Sequence, residues 1–179
     1  MGIPTLIGSA HTASNAASID ITSGIDSTYD EYMFVFTDIN PATDNTKFSV
    51  QFNVASQSGF NETMTTTYFN AYHQEDDGAT SLSYTTGSDQ AQATAYQSLA
   101  DGVGNGSDES CSGVMHLFNP ASTTYVKHFY SRASIVEASP SANDIYVAGY
   151  VNVTGAVDEV SFKMSSGNFD GVIQMYGIA

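Results

Sequence analysis

Basic residues are scarce in this chain of 179 residues, in which 4 Lys and Arg stand against 19 Asp and Glu and the formal net charge is -15. Proteins that bind nucleic acid gain much of their affinity by neutralising phosphates with basic side chains. Anionic lipid surfaces attract proteins through the same kind of side chain. The shortage of cations therefore argues against nucleic acid and against anionic membranes as partners.

Cysteine is equally scarce, because Cys111 is the only one. An intrachain disulfide is impossible, so the stability of the fold has to come from packing and assembly. We interpret Cys111 as a small buried hydrophobic residue. Its acidic neighbours Asp108 and Glu109 would raise the pKa of its thiol and make it unreactive.

Long apolar runs and a cationic leader are also missing. No apolar run is long enough to cross a bilayer. The chain starts without a cationic region, and Pro4 interrupts a short apolar stretch, which does not match a secretory signal peptide. We expect a protein that is made in the cytoplasm of its producer. No linker or change of composition divides the chain, which predicts an N-terminal arm of residues 1–13 and a single domain of residues 14–179.

About ten runs of five to nine residues are rich in Val, Ile, Phe, Tyr and Thr and are separated by small polar residues, a pattern that predicts an all-β protein. Residues 48–54 and 160–164 alternate apolar with polar positions. They should cover a core with one face and meet water or a partner with the other. Residues 32–36 are apolar on both faces, which indicates a central strand or an interface strand. Short strands at this spacing favour a single-domain antiparallel β-sandwich of the jelly-roll kind.

One turn can be placed from the sequence alone. Asn119 and Pro120 predict a hairpin between two flanking strands. A register centred on this turn places His116 and His128 on opposite faces of the sheet. We therefore interpret both histidines as surface residues and predict no metal site between them.

Two acidic stretches contain many of the oxygen ligands that calcium prefers, namely His73–Gly78 and Asp101–Glu109. Neither stretch has the ligand spacing of an EF-hand loop. Solvated acidic loops are the preferred interpretation, and structural calcium is the alternative.

No catalytic motif stands out. The chain lacks the Gly-x-Ser-x-Gly turn of serine hydrolases. A glycoside hydrolase needs two carboxylates across a cleft, and nothing in the sequence singles out such a pair. We expect a protein without enzymatic activity, cofactor or metal.

Three stretches of the chain carry a resemblance to a known family: residues 17–36, 39–44 and 158–171. They resemble small all-β proteins that recur in marine tailed phages, including cyanophages. Members of that family are regarded as virion structural proteins. The resemblance implies a non-enzymatic protein located in the virion, and it leaves the part of the virion open.

A small stand-alone domain without a shaft or repeats suits a capsid decoration protein on the outer head surface. We expect a homo-oligomer, with a trimer favoured, that contacts the major capsid protein or other virion proteins and reinforces the seams between capsomers. The apolar leader would add a strand to a neighbouring subunit. The candidate partner-binding residues are Ile3, Pro4, Leu6, Ile7, Tyr32 and Phe34.

A tail-fibre or receptor-binding component is the main alternative. Four tyrosines in the middle of the chain, Tyr68, Tyr72, Tyr84 and Tyr96, would then stack on host-surface glycans. Packing in the core or at an interface is the competing explanation for the same tyrosines. A free carbohydrate-binding module is a third possibility.

Overall fold

A computed structural model describes residues 2–179, which form an all-β protein. Within these residues no helix is long and apolar enough to cross a membrane. The strands of this part of the chain are β1 (Thr5–Leu6), β2 (His11–Ala16), β3 (Ile19–Ile21), β4 (Glu31–Pro41), β5 (Thr46–Val54), β6 (Met64–Gln74), β7 (Thr80–Tyr84), β8 (Ala91–Ala93), β9 (Gln97–Val103), β10 (Cys111–Phe118), β11 (Lys127–Glu137), β12 (Ser141–Val151), β13 (Val157–Met164) and β14 (Phe169–Ile178).

The strands form a curled antiparallel sheet that folds into two layers. The larger layer runs β14–β4–β10–β11–β12–β6; β1 and β2 pair with β14, and β7 and β8 pair with β6. The smaller layer runs β9–β5–β13–β3. The two layers join where Glu137 of β11 pairs with Val103 of β9. This arrangement confirms the predicted antiparallel, jelly-roll-like sandwich.

Phenylalanine rings fill the space between the two layers. Phe48 of β5 lies 5.2 Å from Phe36 of β4, 5.8 Å from Phe162 of β13 and 6.0 Å from Phe169 of β14, measured between ring centroids. All four side chains are buried. The contact with Phe162 is stacked, that with Phe36 is tilted and that with Phe169 is edge-on, and aromatic contacts of these kinds stabilise a core beyond the gain from buried area alone.

Strand β4 is central, as the sequence predicts, because it pairs with β14 on one side and β10 on the other. Its inward residues Tyr32, Phe34 and Phe36 are completely buried. Met33 and Val35 alternate with them on the outer face. The inner face of β4 is apolar because it meets the core. The outer face is apolar as well, but its side chains are only partly buried.

Strand β5 differs from the prediction on its polar face. Ser49, Gln51 and Asn53 point away from the core but are 4%, 0% and 3% exposed. The Gln51 amide donates hydrogen bonds to the carbonyl oxygens of Glu62, at 3.0 Å, and Ala95, at 3.1 Å. Two connecting segments therefore cover the face that was expected to meet water or a partner.

The hairpin between β10 and β11 is present, but its register differs from the prediction. His116 pairs with Tyr130, so His116 and His128 lie on the same face. The turn closes where the Ser122 amide donates to the Asn119 carbonyl, and further loop residues follow before β11 begins. The longer loop shifts the pairing, which corrects the expected opposite faces.

Lys127, at the start of β11, anchors that loop. It is fully buried, and its Nζ donates to the carbonyl oxygens of Tyr125 at 2.7 Å, Thr154 at 3.3 Å and Val153 at 3.4 Å. Burial lowers the pKa of Lys127. Three carbonyl oxygens therefore share one ammonium group and hold two loops against each other.

Cys111 is 1% exposed, which confirms the prediction of a buried residue. Burial raises the pKa of its thiol far above the usual range. The thiol therefore stays protonated and packs as an apolar group.

A β-bulge in β13 places an acidic residue in a costly position. Between the pairs Val157–Val54 and Glu159–Asn53, Asp158 is the extra residue without a partner on β5. Its Oδ1 atom is buried and accepts no hydrogen bond from any described residue. Burial, and then the neighbouring Glu159, raise the pKa of the Asp158 carboxyl.

Replacing Asp158 with asparagine should therefore stabilise the protein at pH 7, by an amount on the order of 0.5–1 kcal/mol. A raised pKa means that the native state binds more protons, so the penalty on the wild type grows as pH rises through that pKa. The gain should vanish below about pH 3, where aspartate is protonated in both states. Urea unfolding at several pH values measures this difference.

Asp144→Asn is the matched control with the opposite sign. Hydrogen bonds from Arg132 lower the pKa of Asp144, so its carboxylate stabilises the native state above its ordinary pKa. The variant should be less stable than the wild type at pH 7 by less than about 1 kcal/mol, since the pair is exposed. If both variants shift stability in the same direction, the account of Asp158 is wrong.

Candidate functional site

The apolar leader lies on the edge of its own large sheet. β1 pairs with β14, and the Ile7 amide donates to the Met175 carbonyl at 2.9 Å. Ile3 is 88% exposed and Leu6 is 48% exposed, and Pro4 is exposed as well. The leader therefore already forms a strand within its own subunit. Ile3, Pro4 and Leu6 are exposed, whereas Ile7 is half-buried and packs against the core.

Two candidate partner-binding residues of β4 are placed differently from the expectation. Tyr32 and Phe34 are both 0% exposed. The Tyr32 hydroxyl accepts a hydrogen bond from the Asp26 amide at 2.9 Å. Because both side chains point into the core, they cannot contact a partner, and their assignment to an interface is corrected. The residues of this strand that reach the outer face are Met33 and Val35.

The outer side of the large sheet carries a continuous band of aromatic residues. Pairing across β4, β10, β11, β12, β6 and β7 brings outward residues of neighbouring strands side by side. We call this surface the aromatic face. Its residues are Met33, Phe69, Tyr84, His116, Phe118, His128, Tyr130, Tyr146 and Tyr150.

Rings on the aromatic face stack on one another while they stay open to solvent. Tyr130 lies 4.7 Å from His116 and 5.7 Å from Phe118, between ring centroids. Phe69 and Tyr146 are parallel within 3° at 4.9 Å. Tyr130 is nevertheless 44% exposed and Phe69 39% exposed. The stacking fixes the rings in place, so a partner would meet an ordered surface.

Charged groups on the aromatic face are paired within the face. The Arg132 guanidinium donates two hydrogen bonds, of 2.9 and 2.8 Å, to the Asp144 carboxylate and lies 5.0 Å above the Tyr146 ring. This pairing raises the pKa of Arg132 and lowers the pKa of Asp144. His116 Nδ1 is hydrogen-bonded to the Glu31 carboxylate. A partner that covered the face would therefore not leave any of these charged groups buried without a hydrogen-bonding partner.

A shallow apolar hollow interrupts the face. Ala148 is small and exposed, and a depression of about 390 Å³ lies over it between Tyr130 and Tyr150. A neighbouring depression of about 520 Å³ shares Phe118 and His128 with the first. Its far side is formed by Tyr125, which is 70% exposed. The hollow is shaped to accept an apolar side chain.

A second candidate site is polar and lies on the inner side of the large sheet, where the smaller layer ends. Two adjoining cavities of about 240 and 430 Å³ share Asn70, Thr85, Glu137 and Asn143. We call this site the polar cleft. Its residues are Tyr68, Asn70, Tyr72, Thr85, Asp101, Glu137, Ser141 and Asn143.

The four tyrosines of the alternative hypothesis do not share a surface. Tyr68 is 2% exposed, and burial raises the pKa of its hydroxyl. Tyr72 lines the polar cleft, while Tyr84 lies on the aromatic face and donates to Asp89 at 2.5 Å. Tyr96 lies against the smaller layer. A single platform of these rings for glycan stacking is therefore absent from the described residues.

The two acidic stretches also differ from a metal site. In His73–Gly78, His73 Nε2 lies 3.0 Å from an Asp77 carboxylate oxygen, and both side chains are exposed. In Asp101–Glu109, the carboxylate of Glu109 accepts a backbone amide of its own loop. Across residues 2–179, no group of three or more His, Cys, Asp or Glu is placed to hold a metal ion.

A scan against protein-family models and a search of curated proteins found no match to this chain. The two sites are therefore interpreted from their own geometry. Sequence reasoning missed both of them. The aromatic face could have been predicted, because aromatic residues occupy outward positions of long strands such as β12. The cleft had none, because its residues come from distant segments.

Proposed function

We propose that this protein is a non-enzymatic structural component of a virion, a capsid decoration protein that oligomerises on the outer head surface and reinforces capsomer seams. The observation that carries the proposal is the aromatic face. Monomeric proteins rarely expose continuous apolar patches of this kind unless the patch is an interaction site. The resemblance of the chain to virion proteins of marine tailed phages supports the same conclusion.

The composition of the face matches that of a protein interface. Interface cores are enriched in Tyr, Phe, Met and Arg and are depleted of Lys and Glu. The face carries Arg132, one of only 4 basic residues in the chain. Since Arg132 and Asp144 are already paired, burying them avoids the large cost of an unpaired charge.

A second copy of this chain is the partner that the face fits. The face carries the exposed ring of Tyr130 and an apolar hollow over Ala148, and the exposed ring of Tyr125 lies beside it. A ring of one copy can enter the hollow of the next, and such head-to-tail contacts close into rings of identical subunits. A trimer is the favoured closed ring.

On the shell, such a ring would act by mass action. A protein that binds the assembled head but not its separated parts stabilises the assembly. The acidic surface suits the outside of the particle, because a protein lining packaged DNA would need basic residues. The exposed side chains of the leader, Ile3 and Leu6, would contact the major capsid protein.

The number of copies per particle tests the proposal. Quantitative protein gels of purified virions should show hundreds of copies per particle. A few tens of copies would support a tail-fibre or receptor-binding component instead. Absence from purified particles would overturn the virion assignment altogether.

A further inference from the structure

The polar cleft is lined by inward positions of β12, which in the rest of the strand carry core residues. Along β12, the inward residues change from Ile145, which is 1% exposed, to Asn143 and Ser141, which are 5% and 2% exposed. Burying polar side chains costs free energy unless they are hydrogen-bonded. Ser141 and Asn143 both donate to Glu137, but Asn143 Oδ1 has no partner among the described residues, and a binding role explains that atom better than packing does.

Asn143 is the strongest sign of such a role. Its Nδ2 lies 3.3 Å from Glu137 Oε2 and donates to it, so the amide is oriented by the carboxylate. The opposite orientation would bring two oxygens together. Its Oδ1 is buried and has no hydrogen-bond partner among the described residues. An orphaned acceptor costs about 1–3 kcal/mol. Asn143 lines both cavities of the cleft, so a ligand hydroxyl that reached this oxygen through a small shift of the side chain would offset the cost.

The other groups of the cleft are held in place by their neighbours. Glu137 Oε2 also accepts a hydrogen bond from Ser141 Oγ at 2.7 Å. The Thr85 hydroxyl donates to Asn70 Oδ1 at 3.0 Å. Tyr72 lines the larger of the two cavities. The cleft therefore offers ordered carboxylate, amide and hydroxyl groups beside an aromatic surface.

The charges of the cleft decide which ligands it can take. Asp101 is paired with Lys47 at 2.8 Å and accepts a hydrogen bond from Ser88. The remaining carboxylate, Glu137, repels anions. A metal ion is not the expected ligand either, because within residues 2–179 no three His, Cys, Asp or Glu side chains are grouped to hold one.

We propose that the polar cleft binds a neutral sugar, as a pyranose segment of an oligosaccharide. Sugar hydroxyls both donate and accept hydrogen bonds, so they satisfy Asn143 Oδ1 and Glu137 together. The apolar face of a pyranose packs on an aromatic ring such as Tyr72. The larger cavity, of about 430 Å³, falls within the range of roughly 300–1,000 Å³ of known small-ligand sites, and the adjoining one of about 240 Å³ extends it. This inference does not depend on self-association through the aromatic face.

Calorimetric titration of the full chain tests the proposal, with maltohexaose, cellohexaose, laminarihexaose and mannohexaose as probes. At least one should bind saturably. Glucose and mannose serve as a second arm, because binding of the monosaccharide alone would indicate a free sugar rather than a polymer segment. No saturable heat with any of these six probes would overturn the proposal.

Asn143→Leu should weaken binding of the active probe at least about tenfold. The variant removes an orphaned acceptor but also the hydrogen bond from Asn143 Nδ2 to Glu137, so its melting temperature should stay close to that of the wild type. Asn53→Leu is the matched control, since Asn53 is also buried with an unpartnered Oδ1 but lies outside the cleft. Unchanged affinity in Asn143→Leu, or an equal loss in Asn53→Leu, would contradict the assignment.

Tyr72→Ser provides a second variant in case Asn143→Leu fails to fold. Tyr72 is partly exposed, and its replacement removes the aromatic wall without opening the core. It should also weaken binding of the active probe at least about tenfold. Wild-type affinity in this variant would count against the proposed sugar contact.

Discussion

Replacing Phe48 with alanine should lower the free energy of unfolding by about 3–5 kcal/mol, the cost of truncating a fully buried aromatic ring. Phe48 is 0% exposed and contacts rings from both layers, Phe36 and Phe162 among them. Its loss leaves a cavity that neighbouring strands cannot close, because each is fixed by its own ladder. Urea unfolding followed by tyrosine fluorescence measures the change.

Phe69→Ala is the matched control for this prediction. Phe69 stacks on Tyr146 but is 39% exposed on the aromatic face, so its truncation opens no cavity. The expected loss is about 0.5–1.5 kcal/mol, the value of an aromatic pair. Equal losses in the two variants would contradict the placement of Phe48 at the centre of the sandwich.

The strands themselves were predictable because side chains alternate with a period of two along a pleated strand. Residues 48–54 and 32–36 lie in strands of the predicted kind, and their inward phenylalanines form the core. The burial of Gln51 was not predictable. It depends on the connecting segments at Glu62 and Ala95, which fold over the outer side of the smaller layer.

Register was harder to predict than the strands. The turn at Asn119 was identified, but the number of loop residues before β11 decides which side chains face each other. Lys127 holds this loop through backbone carbonyl oxygens, a contact that leaves no pattern in the sequence. His116 therefore faces Tyr130 and shares a face with His128.

The assignment of Tyr32 and Phe34 to an interface was wrong because the sequence does not show which face of β4 points inward. Tyr32, Met33 and Phe34 are all apolar, so alternation cannot tell which of them meets the second layer. The structure places Tyr32 and Phe34 inward, and their alternate neighbours line the outer face. The polar cleft escaped prediction for a different reason. Asp101, Glu137 and Asn143 meet only after the strands have paired.

Tyr130→Ser should weaken self-association at least about 30-fold, the effect of losing an interface anchor worth 2 kcal/mol or more. Tyr130 lies at the centre of the aromatic face, beside the hollow over Ala148 and in contact with His116. Its side chain points away from the core, so the fold should survive the change. Light scattering over a range of concentrations measures the oligomer directly.

Tyr96→Ser is the matched control, since Tyr96 is a partly buried tyrosine on the outer side of the smaller layer. Its hydroxyl donates to Ser161 at 3.1 Å and its ring lies 4.0 Å from Lys163 Nζ. Losing these contacts should lower stability but leave the oligomer intact. A wild type that stays monomeric at every concentration, or equal weakening in both variants, would contradict association through the aromatic face. Because the face and the cleft lie on opposite sides of the large sheet, Tyr130→Ser should also keep wild-type sugar affinity.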